Sequence, residues 1–314
     1  MSPTPPERVA TIDVGTNTVL LTVAERRGRG FHPVVERAEI TRLGRGVDRT
    51  GRLDPAAIAD TVAVLRAYAA EARSLGAERI ACVATSAARD ASNGADFFHA
   101  ARQAAGLSPE VIPGEEEARL VHRSAWADFG TPGRPLAVLD VGGGSTEITW
   151  GEGLAPAGRR SLQIGAVRLT ERVAAADPPT PLDRERLRDG ARAPLAELAA
   201  LRAGGALRDA TLVAVAGTVT TLAAVAQALP VYDALRVHGS TLTLAEVRAL
   251  EERLAALTVA ERSRLPGMEP KRADVIVAGA AIVAAAMELA GFERLTVSDR
   301  GVRWGLLHDR FGGG

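Results

Sequence analysis

The sequence predicts an α/β protein with two domains of similar size. Apolar strand-like runs alternate with helix-length amphipathic segments along the 314 residues, which is the pattern of sheets covered by helices. Each half also contains a strand that ends in aspartate and glycine and continues at once into a second strand. Because the same segment occurs in both halves, we expect a duplicated domain, with residues 1–130 in the first copy and 131–314 in the second.

Short apolar and β-branched runs predict the strands, and apolar spacings of three and four residues predict the helices. In the first half, strands are expected at 9–12, 19–24, 34–41, 79–84 and 110–112, and helices at 55–75, 96–105 and 115–129. The segment 130–135, Gly-Thr-Pro-Gly-Arg-Pro, consists of turn residues and predicts the domain boundary. In the second half, strands are expected around 138–140, 148–150, 212–216 and 295–298, and helices within 183–207 and at 244–257, 275–289 and 302–310.

Composition excludes several classes of protein. The 38 basic and 38 acidic residues balance, so no net field favours nucleic acid or a membrane as a partner. Cys82 is the only cysteine, which excludes an intrachain disulfide and a cysteine-cluster metal site. The longest uncharged apolar run, 275–287, is too short to span a bilayer, and residues 1–7 lack the apolar core of a signal peptide. We therefore expect a soluble cytoplasmic protein.

The two aspartate–glycine segments are predicted to be tight β-hairpins that bind phosphate. They span 13–18, Asp-Val-Gly-Thr-Asn-Thr, and 140–147, Asp-Val-Gly-Gly-Gly-Ser-Thr-Glu. Glycine lets the backbone turn sharply, and successive amides in such a turn form a concave nest for phosphate oxygens. The candidate nest residues are Thr16 in the first tip and Gly143, Gly144 and Ser145 in the second.

A divalent cation is expected beside these hairpins. Asp13 and Asp140 could serve only as Asx-turn residues, but their recurrence in both halves favours a ligand role. Glu147 adds a second carboxylate near Asp140, and two carboxylates with water and phosphate are a common Mg²⁺ arrangement. The expected cofactor is therefore Mg²⁺, with Asp13, Asp140 and Glu147 as candidate ligands.

Four further polar loops follow predicted strands, at the edge where open α/β sheets bind ligands. They are 85–89, 113–119, 217–221 and 298–301. Arg89 is either a surface cation or a phosphate contact, and its place after a Thr-Ser pair at a strand end favours the contact. Thr218 is either a helix N-cap or, with Gly217, part of a further phosphate nest.

Glu117 lies on the predicted inward stripe of its helix, in register with Leu120, Val121 and Ser124. The glutamates just before it are explained by the favourable field at a solvated first turn. A carboxylate on the inward face is either satisfied by a partner or acts on a ligand, and spacing alone leaves both interpretations open.

Other nucleotide-binding motifs are absent from the sequence. It contains no Gly-x-x-x-x-Gly-Lys-Ser/Thr loop, and the glycines at 142–144 do not fit Gly-x-Gly-x-x-Gly, so neither a P-loop nor a dinucleotide fold is expected. The five histidines are scattered without the spacing of metal ligands.

The paired hairpins resemble those of the actin, Hsp70 and sugar-kinase superfamily, and the full set of motifs resembles the exopolyphosphatase / guanosine pentaphosphate phosphohydrolase family. The matching segments follow one another along the whole chain: 12–18, 43–47, 85–89, 114–120, 140–147, 216–221, 265–268 and 298–303. The resemblance implies two actin-like (ribonuclease H-like) domains with a ligand cleft between them, and a C-terminal helix from about residue 303 packed on the first domain. We also expect a homodimer.

The resemblance also implies an activity and the residues that carry it. The activity is hydrolysis of the terminal phosphate of inorganic polyphosphate or, as the alternative, of the 5′-phosphate of guanosine pentaphosphate. Glu117 is expected to position or activate the attacking water, and Asp140 and Glu147 to form the metal and catalytic centre. Asn17, Arg89 and the turn 143–145 are expected to hold phosphate.

Two departures from the family pattern bear on these expectations. The chain ends before the extra helical region of long family members, which favours short or medium polyphosphate chains. Arg300 and Trp304 stand where glycine and glutamate are expected.

Two rival functions are also compatible with the motifs. An ATP-dependent sugar or carboxylate kinase shares the hairpins, and a non-catalytic sensor of guanosine penta- or tetraphosphate shares the binding residues but has no use for Glu117.

Overall fold

A computed structural model describes residues 7–28, 30–173 and 175–312, so most of the proline-rich N-terminal stretch lies outside the described residues. The chain forms two compact units. Unit 1 contains the residues up to Leu120 and those from Val302 onward, and unit 2 contains Val121–Gly301. This division falls after Leu120, whereas the sequence predicts the domain boundary at the turn 130–135. The last helix belongs to unit 1. Among the described residues, no helix has the length and apolar character needed to cross a membrane.

Unit 1 is built on a five-stranded mixed sheet. Its strands are β1 (Arg8–Val14), β2 (Thr18–Arg27), β3 (Gly30–Ile40), β4 (Arg79–Ala84) and β5 (Glu110–Val111). They lie in the order β3-β2-β1-β4-β5, with β1 antiparallel to β2 and parallel to β4. The helices are α1 (Val47–Thr50), α2 (Pro55–Ser74), α3 (Ser86–Asp90), α4 (Gly94–Ala105), the first part of α5 (Gly114–Phe129) and α14 (Val302–Phe311). This topology brings the carboxyl ends of β1 and β4 to one edge of the sheet.

The core of unit 1 forms because β1 is buried on both faces and helices cover each side. Helix α2 begins at Asp54, whose Oδ1 accepts hydrogen bonds from the amides of Ala56 and Ala57. Its predicted stripe, Ile58, Val62, Leu65 and Ala69, is buried in the same cluster as the inward residues of β1 and β2. Val9 and Ala24 pack instead against Trp304 and Leu307 of α14. Burying these faces supplies most of the stability of the unit.

Unit 2 is built on a six-stranded mixed sheet. Its strands are β6 (Leu136–Val141), β7 (Thr146–Gly151), β8 (Gly158–Leu162), β9 (Thr211–Val215), β10 (Thr241–Thr243) and β11 (Arg294–Val297), in the order β10-β11-β9-β6-β7-β8. The helices are the rest of α5, α6 (Ala166–Val173), α7 (Pro181–Leu195), α8 (Glu197–Ala203), α9 (Ala216–Ala226), α10 (Ala234–Val237), α11 (Leu244–Ala255), α12 (Val259–Arg262) and α13 (Ile276–Ala290), with a 3₁₀ turn at Pro270–Arg272.

The core of unit 2 surrounds α13, which is apolar on all sides and almost wholly buried. It shares one cluster with the inward residues of β6, β9 and α9. Both sheets therefore place an antiparallel hairpin, β1–β2 or β6–β7, beside parallel strands that follow later in the chain. The predicted α/β fold with two units of corresponding topology is confirmed, and the sheet order is the same in each except for the added edge strand β10.

Candidate active site

Asp140 and Glu147 face each other across the β6–β7 hairpin. They are directly opposed partners in the antiparallel ladder, so both side chains lie on the same face of the sheet. Glu147 is 1% exposed, and its Oε1 accepts a hydrogen bond of 2.7 Å from Ser161 Oγ on β8. The predicted pair of carboxylates is thus brought together by strand register alone.

Asp140 is a buried carboxylate that no hydrogen bond from the described residues satisfies. It is 6% exposed, and burial raises the pKa of its carboxyl well above the usual range. A buried charge without a donor is costly unless a cation offsets it. Asp140 and Glu147 therefore fit a hard divalent cation that completes its shell with water and phosphate oxygens. Within the described residues, no cluster of three or more histidine, cysteine, aspartate or glutamate side chains could hold a metal.

The glycine turn beyond Asp140 directs its carbonyl groups toward α6. Gly142 O accepts from Ala166 N at 2.9 Å, and Gly143 O accepts from Val167 N at 2.9 Å. The turn is closed by a 3.1 Å bond from Gly142 N to Ser145 O, and Ser145 is 2% exposed. With the carbonyls occupied in this way, the amides of the turn remain as donors for an anion.

The segment after β9 supports the same turn. Thr218, near the start of α9, donates from Oγ1 to the carbonyl of Val141 at 3.1 Å, so it stabilises the hairpin by a side-chain bond. The N-cap of α9 is Val215, which makes no side-chain cap hydrogen bond. Gly217 has another reason to be glycine, because a Cβ there would lie 2.1 Å from the guanidinium carbon of Arg272. The sequence gives no sign of this contact, because Arg272 is only the second residue of a basic pair after Glu-Pro.

The hairpin of unit 1 is constructed on the same plan. Gly15 N donates to Thr18 O at 3.0 Å, and Asp13, Thr16 and Asn17 are all less than 9% exposed. The Nδ2 atom of Asn17 is buried, and none of the described residues accepts a hydrogen bond from it. A buried donor of this kind is an expected partner for a phosphate oxygen.

Arg89 and Glu117 lie together in unit 1. Arg89 Nη1 donates to Ile112 O at 2.9 Å and lies 3.5 Å from Glu117 Oε2. Its Nη2 atom is buried without a hydrogen-bond acceptor among the described residues. Glu117 is 8% exposed, so the sequence placed it correctly on the buried side of α5. The predicted site residues thus form two groups, one in each unit.

The two departures from the family pattern are both engaged with acidic side chains. Arg300 Nη1 lies 2.6 Å from Asp128 Oδ1 within unit 2. Trp304 donates from Nε1 to Glu36 Oε1 at 2.9 Å within unit 1, where Arg303 also pairs with Glu36. Both residues therefore have structural contacts in this chain.

Comparisons with known proteins identify the family of the chain. The model of the Ppx/GppA phosphatase family matches residues 22–312. The chain is 42% identical to exopolyphosphatase 2 of Mycobacterium tuberculosis, covering 95% of this chain and 97% of the relative. It is 32% identical to exopolyphosphatase 1 of Mycobacterium bovis, covering 96% and 87% of the two chains.

Solved structures give the same result. The crystal structure of the Aquifex aeolicus member of the Ppx/GppA family is 35% identical, covers 98% of each chain and superposes with a TM-score of 0.81. An exopolyphosphatase from Cytophaga hutchinsonii is 25% identical, covers 97% of each chain and superposes with a TM-score of 0.88. The predicted resemblance and the predicted enzyme class, a hydrolase of phosphoric anhydrides, are confirmed at the level of the family. The chain belongs to the Ppx/GppA phosphatase family.

Proposed function

We propose that the protein is a Mg²⁺-dependent exopolyphosphatase, which releases the terminal phosphate of inorganic polyphosphate by hydrolysis. The observation that carries the proposal is the buried Asp140 carboxylate, opposed by Glu147 and followed directly by the glycine turn. Two buried carboxylates beside a turn that binds anions are explained by a cation, which would contact both the carboxylates and the bound phosphate. The names of the two mycobacterial relatives, both exopolyphosphatases, support polyphosphate over guanosine pentaphosphate as the substrate.

Asp140 and Glu147 would hold the divalent cation, and Asp13 in the hairpin of unit 1 stays a candidate cation ligand of that unit. When bound, the cation would neutralise phosphate charge as the leaving group departs. The amides of Gly143, Gly144 and Ser145 would hold the phosphate oxygens, and Thr218 keeps the turn in place through its bond to the Val141 carbonyl. Phosphoryl transfer to water needs such positioning and neutralisation more than covalent help.

The donors of unit 1 are proposed to bind the same class of ligand. Asn17 Nδ2 and Arg89 Nη2 are buried donors without an acceptor among the described residues, and phosphate oxygens would supply one. Thr16 in the tip of the unit 1 hairpin and Gly217 next to Thr218 in unit 2 stay candidate phosphate contacts. Glu117 would accept a proton from the attacking water, while the nearby Arg89 guanidinium restricts the orientation of its carboxylate.

The experiment is a phosphate-release assay with the purified chain on polyphosphates of several lengths, guanosine pentaphosphate and ATP, with Mg²⁺ or with excess EDTA. We expect release from polyphosphate without any acceptor substrate, and its loss in EDTA. Faster release from guanosine pentaphosphate would favour the alternative activity. Turnover of ATP only with an added acceptor would indicate a kinase, and tight guanosine pentaphosphate binding without hydrolysis would indicate a sensor.

A further inference from the structure

Helix α6 holds the glycine turn through three consecutive carbonyl groups. The first two are held by backbone amides at the start of the helix: Gly142 O by Ala166 N, and Gly143 O by the amides of Val167 and Arg168. The third is held by a side chain, because Arg168 Nε donates to Gly144 O at 2.7 Å. One helix thus determines the direction of three neighbouring peptide groups.

The direction of each carbonyl decides the direction of the next amide. In a trans peptide the C=O of one residue and the N–H of the following residue point in opposite directions. A carbonyl held toward α6 therefore turns the following N–H away from α6. The bonds to Gly142 and Gly143 orient the amides of Gly143 and Gly144, and the Arg168 bond orients the amide of Ser145.

Gly165 makes this approach of α6 possible. A Cβ at Gly165 would lie 2.5 Å from the carbonyl carbon of Gly143 and 2.6 Å from the nitrogen of Gly144. Real Cβ atoms do not approach backbone so closely, so any other residue would push the helix away from the turn. Thr146 adds a further tie, since its Oγ1 donates to Ile164 O at 2.7 Å.

The hairpin of unit 1 has a corresponding arrangement that uses the backbone only. Thr16 O accepts from Gly44 N at 2.8 Å, and Asn17 O accepts from the amides of Thr41 and Arg42 at 3.1 and 3.0 Å. A Cβ at Gly44 would lie 2.2 Å from Thr16 Cγ2. In each unit, the segment that follows the third strand donates hydrogen bonds to the carbonyl groups of the hairpin tip. A glycine in that segment allows the close approach. The guanidinium of Arg168 is an addition specific to unit 2.

We propose that Arg168 is a positioning residue, which fixes the Ser145 amide as a phosphate donor by holding the Gly144 carbonyl. The inference rests on the proposed function, because it assigns a role within the same phosphate nest. The geometry requires a donor at the Nε position, so a cation of different shape does not replace it. A guanidinium ion supplied in solution has the right shape and would restore part of the function.

The test compares Arg168→Lys, Arg168→Ala and the control Arg172→Gln, which changes an exposed arginine one turn further along α6. We expect both Arg168 variants to lose about tenfold to a hundredfold in kcat/KM for polyphosphate, mainly in kcat. Millimolar guanidinium should restore part of the Arg168→Ala loss, and Arg172→Gln should behave as the wild type. Full activity of Arg168→Lys would show that only the charge matters and would overturn the proposal.

A binding readout separates this inference from the proposed function. In ¹⁵N spectra of the wild type, inorganic phosphate should shift the amide resonances of Gly143, Gly144 and Ser145. In Arg168→Ala the Ser145 response should be lost while the Gly143 response remains. Equal loss of all three responses together with lower thermal stability would indicate a merely structural role and would contradict the proposal. A wild type that binds phosphate in this way but releases none from polyphosphate would refute the function and leave the Arg168 inference standing.

Discussion

The buried carboxylate of Asp140 lowers the stability of the fold and is the proposed ligand of the cation. Its carboxylate is buried in a position that a folded protein would ordinarily give to an apolar or amide side chain. Without a cation the charge is uncompensated, so the wild-type sequence accepts a cost in stability at this position. Such a cost is expected at a binding site and is difficult to explain for a merely structural hairpin.

Asp140→Asn should therefore stabilise the metal-free protein and abolish its response to Mg²⁺. The amide is nearly the same size and carries no charge, so we expect the free energy of unfolding in EDTA to rise by about 1–3 kcal/mol. Thermal unfolding with and without Mg²⁺ measures both effects, and phosphate release should be lost. A variant that is less stable than the wild type in EDTA, or that is still stabilised by Mg²⁺, would contradict the metal assignment.

Glu117→Gln should retain the fold and substrate binding but lose turnover. Since the amide cannot accept a proton from water, kcat should fall by about two to four orders of magnitude, the usual scale for a general base. The matched control is Glu115→Gln, an exposed glutamate in the same helical turn. Steady-state phosphate release gives kcat, and near-normal release by the Glu117 variant would exclude the proposed role.

At the scale of elements, the hairpins were predictable and their supports were not. The segment Asp-Val-Gly between two apolar runs indicates a turn and occurs in both halves, so the tips at 13–18 and 140–147 could be identified. Strand β8, Gly-Arg-Arg-Ser-Leu, was missed because it is a polar edge strand without apolar alternation. Helix α9 was anticipated only through the N-cap alternative for Thr218, because it starts directly at Ala216, which has a φ of 74°, without a side-chain cap. Arg168 acts on a backbone carbonyl, and such a contact leaves no motif in the sequence.

His122 in α5 predicts a pH dependence of stability. Its Nε2 lies 3.2 Å from Gly153 O, which can only accept, so Nε2 carries the proton and Nδ1 accepts from Thr149 Oγ1. Burial lowers the pKa of His122 to about 4, from 6.5 in the unfolded chain. The unfolded state therefore binds a proton first as pH falls, and the stability contributed by neutral His122 is lost between about pH 6.5 and 4.

His122→Gln should remove this contribution to the pH dependence. Between pH 7 and pH 5 the wild type should lose about 2 kcal/mol more in free energy of unfolding than the variant does. Urea unfolding of both proteins at the two pH values measures the difference. Parallel pH curves would mean that His122 titrates normally in the folded state.

Helix α14, near the C-terminal end of the given sequence, belongs to unit 1. Its Gly305 packs on α5 so closely that a Cβ would lie 1.9 Å from Leu120 O. Gly305→Ala should therefore lower the free energy of unfolding by about 1–3 kcal/mol. The control is Gly301→Ala, whose Cβ would meet nothing within 4 Å. Chemical denaturation of the two variants checks this, and equal stabilities would contradict the close packing.

At the scale of the whole molecule, one duplicated unit serves two proposed tasks. The carboxylate pair and the Arg168-supported turn belong to unit 2, whereas Glu117, Arg89 and Asn17 belong to unit 1. The duplication could be predicted because the hairpin motif recurs. The different tasks could not be derived from local pattern, because the inward spacing of Glu117 fits a carboxylate satisfied by a partner as well as one that acts on a ligand. The homodimer stays a prediction, which a measured solution mass of twice 32.7 kDa would support.

The central claim is that the enzyme removes phosphates one at a time from a chain end. Its most direct test is a time course on polyphosphate of one defined length with Mg²⁺, with inorganic phosphate measured beside a gel of the remaining chains. The account predicts inorganic phosphate as the first product, accompanied by chains that shorten from the end, and neither change in EDTA. Fragments of intermediate length that appear before inorganic phosphate, or no change at all, would contradict it.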